Sequence, residues 1–175
     1  MILKLKQTPG LYLAGFMGSG KSTIGRALAA RLGWRFVDLD AEIEAREGQS
    51  IAAIFDQQGE AAFRVLESEA LARLVATVSI GRPLVMAIGG GAFVDPASAR
   101  RLADRGVTVW LDCPLAVVER RVARATHRPL ARDPHALANL YHARRESYAR
   151  ADVRIPIESD DPAVAVEAIV ARLGL

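Results

Sequence analysis

Glycine, lysine and hydroxyl side chains come together in Gly15-Phe16-Met17-Gly18-Ser19-Gly20-Lys21-Ser22, whose spacing fits G-x-x-x-x-G-K-[ST], with Thr23 next. Gly15, Gly18 and Gly20 allow positive φ and leave no side chain between backbone amides and a ligand. Successive N–H groups can then point into one concavity at a helix N-terminus, which suits a polyphosphate. Lys21 would reach the β- and γ-phosphate oxygens as a compact cation, and the Ser22 hydroxyl would ligate Mg²⁺. A glycine-rich turn with a chance Lys-Ser has the same composition, but it needs neither a strand before it nor a helix after it.

Further residues of chemical interest follow. Asp38-Leu39-Asp40 places two carboxylates just past a short strand, where open α/β sheets bind ligands. Asp40 could instead be the N-cap of a helix from Ala41 to Glu47. Beside the phosphate loop, Asp38 is expected near the Mg²⁺ shell and Asp40 on the acceptor. Glu67 interrupts an otherwise apolar stripe at positions 63, 66, 67, 70, 71 and 74, with Arg64 on its edge. The pair is either a local ion pair or a device that turns the Arg64 fork toward a substrate anion. Gly89-Gly90-Gly91 ends the apolar run Leu84 to Ile88, and consecutive glycines there imply close approach to bare backbone. Arg120, Arg121 and Arg124 form a basic helical face, solvated by default. Arg128, in Arg128-Pro129-Leu130, is placed for a lid over about 122–135 that brings positive charge on closure.

The elements that must hold these groups alternate in type. Leu11 to Ala14 reads as a buried strand, Ser22 to Leu32 as a helix stopped at Gly33, and Arg35 to Asp38 as a second strand. Ser50 caps a short helix ended by Gly59, and Glu60 to Thr77 forms a longer one. Leu84 to Ile88 is a strand buried on both faces. Asp95-Pro96 opens a helix that stops at Gly106; Val107 to Leu111 is the fourth strand. Helices from Leu115 and up to Arg150 lead to the last strand, Val153 to Ile157, and Asp161-Pro162 opens the terminal helix. Five strands alternating with helices predict a three-layer α/β/α fold around a parallel sheet.

With 175 residues, 51% of them hydrophobic, the chain suffices for one domain over 1–175 with a full core. Cys113, the single cysteine, excludes an internal disulfide and reads as a small core residue at a strand edge. The start of the chain has too short an apolar run for a signal peptide or membrane span, so the cytoplasm is expected. The net charge is only +3, and arginines around a phosphate site explain the basic balance, so neither nucleic acid nor membrane is an expected partner.

Several motifs together resemble the shikimate kinases. They are Gly15 to Gly25, Asp38-Leu39-Asp40, Ile54-Phe55 with Gly59-Glu60-x-x-Phe63-Arg64, Gly89-Gly90-Gly91 and Arg128-Pro129-Leu130, in the order and spacing of that family. The resemblance implies a nucleoside-monophosphate-kinase-like phosphate-loop fold and transfer of the γ-phosphoryl of ATP to the 3-hydroxyl of shikimate, in aromatic amino-acid biosynthesis. It implies that Gly18, Ser19, Gly20, Lys21, Ser22 and Thr23 hold the ATP phosphates, that Arg121 packs on adenine with Pro162 opposite, and that Ser22 and Asp38 attend Mg²⁺. Asp40 would bind the acceptor hydroxyls and orient or deprotonate the nucleophile. Arg64 would hold the carboxylate, Gly89, Gly90 and Gly91 would line the ring, Phe55 and Phe63 would pack on its apolar face, and Arg128 would reach the transferring phosphoryl. A monomer is expected. Other small-molecule kinases, such as gluconate or nucleoside monophosphate kinases, or a non-catalytic nucleotide-binding module, would share the loop and fold without the remaining motifs.

The chain departs from the family where Arg-x-Pro-Leu-Tyr is common and Arg144-Arg145-Glu146-Ser147-Tyr148 stands. Counting back from the tyrosine selects Arg144 as the second carboxylate ligand. Helical periodicity agrees, since Leu137, Leu140, Tyr141, Arg144 and Tyr148 share a stripe while Arg145 is turned about 100° away. Truncation of Arg145 is then expected to leave substrate binding alone.

Overall fold

The computed structural model describes residues 9–123 and 134–175. Five strands, β1 Gly10–Ala14, β2 Arg35–Asp38, β3 Leu84–Ala87, β4 Val107–Asp112 and β5 Val153–Pro156, form one sheet in the order β2-β3-β1-β4-β5. Every pairing is parallel. β1, β3 and β4 are buried at every position, as continuous apolar strands covered on both faces must be. Full burial of each Leu or Val here contributes roughly 1.5–3 kcal/mol.

Seven helices connect and flank the strands among the described residues: α1 Lys21–Leu32, α2 Leu39–Glu47, α3 Ile51–Ser79, α4 Pro96–Asp104, α5 Leu115–Ala123, α6 Pro134–Tyr148 and α7 Pro162–Leu173. Right-handed crossovers decide their layers. The chain moves from β1 to β2 in one direction across the sheet and from β2 to β3, β3 to β4 and β4 to β5 in the other. α1 therefore lies on one face, joined there by α7, and the remaining connections lie on the opposite face. The reversal at β1 opens a crevice at the carboxyl ends of the strands.

Two helix limits differ from the sequence expectation. α2 begins at Leu39 because Asp38, not Asp40, is its N-cap: Asp38 Oδ1 accepts from the Asp40 N–H at 3.2 Å. The two helices expected around Gly59 run as one, Ile51–Ser79, with Gly59 kinked at φ 81°, ψ 172°. A left-handed glycine turns the axis there without ending the helix, while Ser50 caps the start through Ala53 N–H as expected. Gly25 permits α1 to lie close on the sheet, since a Cβ there would stand 2.5 Å from the Phe36 ring. Cys113 directly follows β4 and is buried. Among the described residues, no helix is long and apolar enough to cross a membrane.

Candidate active site

At the carboxyl edge the chain leaves β1 into the glycine-lysine loop, and Gly18 and Gly20 take positive φ of 75° and 93° there. Gly20 is the residue before α1, so the loop amides and the helix N-terminus face the same space. Lys21 Nζ folds back to donate to the carbonyls of Gly15 and Phe16, both at 3.0 Å. Ser19 is fully buried and its Oγ has no hydrogen-bond partner within the protein. Ser22 Oγ donates to Asp38 Oδ2 at 2.5 Å, which joins the end of β2 to the start of α1. These are two hard oxygen donors side by side, of the kind Mg²⁺ prefers when it takes only one or two protein ligands beside phosphate. No larger cluster of metal-ligating side chains occurs among the described residues.

A cleft of about 700 Å³ opens over this loop. It is lined by Gly18, Gly20, Lys21, Ser22 and Thr23, by Asp38 and Asp40, by Gly89 and Gly90, and by Arg121, Arg144 and Pro162. Arg121 is held between two loops: its Nη1 donates to the Gly18 carbonyl at 2.9 Å, and its Nη2 meets Asp160 Oδ1 at 2.6 Å. The basic face is thus not simply solvated, because Arg120 also pairs with Asp160, at 2.9 Å. Ser19 lies beneath the lining. Phe55, Phe63, Arg64 and Gly91 are grouped to one side of it, with the two phenyl centroids 4.8 Å apart and Arg64 Cζ 5.3 Å from the Phe63 centroid. Arg128 lies outside the described residues, as does most of the expected lid segment.

The glycine triplet explains how the acceptor side is assembled. None of its glycines takes a positive φ, so close approach is what requires them. A Cβ on Gly89 would stand 2.7 Å from Asp40 Oδ1 and 3.3 Å from Glu67 Oε1. On Gly90 it would stand 2.8 Å from Arg144 Nη1 and 2.9 Å from Tyr148 Oη, and on Gly91 it would collide with the Arg64 guanidinium. Bare backbone is needed here because the protein's own charged groups press against it.

Electrostatics ties the same groups together. Arg64 Nη1 bonds Glu67 Oε2 at 2.8 Å, and its Nη2 bonds Glu60 Oε1 at 2.9 Å. Burial pushes the Glu67 carboxyl above the usual carboxylate range; Arg64 pulls it back, and the charges of Asp40 and Asp95 add to the rise. Burial opposes the charge on Arg64, but its two carboxylate partners outweigh it and the guanidinium is held more firmly protonated. Burial also raises the Tyr148 phenol, against the nearby Arg144 charge.

Sequence reasoning missed a second cluster beside the cleft. Arg145 bonds Asp112, which also takes Arg154 from β5, and Tyr148 Oη donates to the Gly90 carbonyl at 3.4 Å. A carboxylate closing the apolar run Val107 to Leu111 was the available signal, although nothing in the sequence names its partners.

A parallel sheet with a phosphate-binding loop at its point of reversal, carboxylates beyond the next strand and arginines across the cleft defines a phosphate-loop phosphotransferase of small-molecule type. The chain belongs to the shikimate kinase family, whose model matches residues 17–174. It is 41% identical to the shikimate kinase of Persephonella marina over 93% of this chain and 98% of that one, and 46% identical to that of Gloeobacter violaceus over 91% and 89%. Among solved structures, the shikimate kinase of Acinetobacter baumannii in complex with shikimate superposes with a TM-score of 0.87 at 32% identity, covering 99% of this chain and 98% of that one. A gluconokinase from Sinorhizobium meliloti, with a TM-score of 0.59 at 18% identity over 96% and 93% of the two chains, shares the fold alone.

Proposed function

We propose that the cleft transfers the γ-phosphoryl group of ATP to the 3-hydroxyl of shikimate, giving shikimate 3-phosphate and ADP. The observation that carries this reading is the convergence of Asp40, Arg64 and Arg144 on three consecutive glycines, beside the Ser22–Asp38 pair. A small polar acid with ring hydroxyls needs such a set: one carboxylate for a hydroxyl and two guanidiniums for an anion.

In this reading the amides of Gly18, Ser19, Gly20, Lys21, Ser22 and Thr23 and the Lys21 ammonium cradle the phosphates. Arg121 and Pro162 flank the adenine. Ser22 and Asp38 would hold Mg²⁺, which when bound draws charge from the β- and γ-oxygens. Asp40 orients the 3-hydroxyl and accepts its proton as the new oxygen–phosphorus bond forms and the bond to ADP breaks. Arg64, aimed by Glu67, and Arg144 grip the carboxylate, while Phe55, Phe63 and the triplet border the ring. Arg128 enters through its motif alone, as the cation that meets the transferring phosphoryl.

A coupled ADP-release assay with shikimate, gluconate and AMP as acceptors tests the reading. Turnover with shikimate alone is expected. Preference for gluconate or AMP would replace the acceptor, and nucleotide binding without turnover of any acceptor would replace the enzyme by a binding module.

A further inference from the structure

Helical periodicity leaves Arg145 out of the site, yet its contacts give it an indirect part. Its guanidinium forks onto Asp112, with Nη1 2.6 Å from Oδ1 and Nη2 3.1 Å from Oδ2, and Nη1 also donates to Tyr141 Oη at 2.7 Å. The hydrogen bonds to Asp112 hold Arg145 more firmly protonated than usual. Asp112 ends β4, is 8% exposed, and also accepts from Arg154 Nε of β5 at 2.8 Å. The Trp110 ring carries both guanidiniums, with Cζ of Arg145 and Arg154 at 4.9 and 5.1 Å from its centroid. Tyr141 passes the chain on to the Cys113 carbonyl at 2.9 Å. One buried carboxylate and one indole therefore tie α6 to the ends of β4 and β5.

Arg144 is the next residue on that helix and points to the other side, into the cleft, with its Cζ 6.0 Å from the Phe16 centroid. Side chains reach about 6 Å from a helix axis. A roll of only about 10° would move such a group by roughly 1 Å, beyond the about 0.5 Å within which a binding constellation must be held. The Asp112 fork, set about 100° around the helix from Arg144, is well placed to resist that roll. We propose that Arg145 and Asp112 are positioning residues for the acceptor, fixing the roll of α6 so that Arg144 meets the substrate carboxylate. This rests on the reading of Arg144 as a carboxylate ligand, and it revises the expectation that Arg145 is without effect.

Steady-state kinetics of Arg144→Ala, Arg145→Gln, Asp112→Asn and the Arg144→Ala/Arg145→Gln double variant test it, with melting temperatures measured alongside. Arg145→Gln and Asp112→Asn are each expected to raise the KM for shikimate about five- to tenfold, with kcat and the KM for ATP within about twofold. Arg145→Lys, which keeps the charge without the fork, should recover part of the loss. In the Arg144→Ala background Arg145→Gln should add less than about twofold, because a residue acting through another has nothing left to position. A raised KM in Arg144→Ala with a normal one in Arg145→Gln and Asp112→Asn overturns the positioning role and leaves the carboxylate reading standing. Additive effects in the double variant overturn it as well. A normal KM in Arg144→Ala removes the carboxylate reading and the positioning role together. Should Arg145→Gln fail to fold, Asp112→Asn in both backgrounds gives the same decision.

Discussion

On the phosphate side of the cleft the working groups lie in one short segment, Gly15 to Ser22, and backbone conformation holds them: positive φ at Gly18 and Gly20, then the first turn of α1. On the acceptor side, Asp40 comes from α2, Arg64 and Glu67 from α3, and Arg144 and Tyr148 from α6, and they meet only because three glycines give them room. The first arrangement is written locally, so one substitution in the loop disturbs the geometry of all its amides. The second is a convergence of side chains, so its members can be removed one at a time and each should leave its own kinetic signature.

The most severe test of that division is Asp40→Asn. It keeps the shape and removes the proton acceptor, and kcat should fall by about 10³ while the KM for ATP stays within about twofold. Unchanged turnover in the ADP-release assay would leave the acceptor side without its base. A pair of glycine variants sharpens the contrast at smaller amplitude. Gly91→Ala drives a methyl group into the Arg64 guanidinium and should raise the KM for shikimate about tenfold, sparing that for ATP. Gly20→Ala forces a side chain onto a backbone with φ of 93°, a cost of about 1–2 kcal/mol, and should instead weaken ATP. Equal disturbance of both substrates by both variants would mean that the cleft has no such division.

The smallest effect concerns pH. Burial raises the Glu67 carboxyl above the unfolded value of about 4.3, so the folded protein holds that proton more tightly. The stability this contributes is complete below the unfolded value and is lost as pH rises through the folded one. Compared with Glu67→Gln, the wild type should therefore lose ground as pH climbs through the carboxylate range, read as a shrinking difference in urea midpoint. A difference that grows with pH would show that the Arg64 pair outweighs burial.

The same contrast explains what the sequence disclosed. Strand order and layers follow from apolar runs alternating with helical stripes, and the loop from its motif, because both are local patterns. Arg144 was separable from Arg145 because helical rotation is local too. Asp112 with Arg145 and Arg154 was not legible, since its members sit in β4, α6 and β5 and no spacing rule links them. Asp160, which takes both Arg120 and Arg121, escaped for the same reason. The helix start at Leu39 was missed through a choice between two neighbouring carboxylates, either of which could cap.

Lys21 is bonded to the carbonyls of Gly15 and Phe16. A polyphosphate that takes its ammonium must exchange those two bonds, so the affinity gained is a difference between partners and not the full strength of a charged contact. The exchange runs backwards after transfer. The loop offers the lysine its own oxygens as the spent nucleotide departs, which lowers the barrier to release and keeps the cycle from stalling on its product.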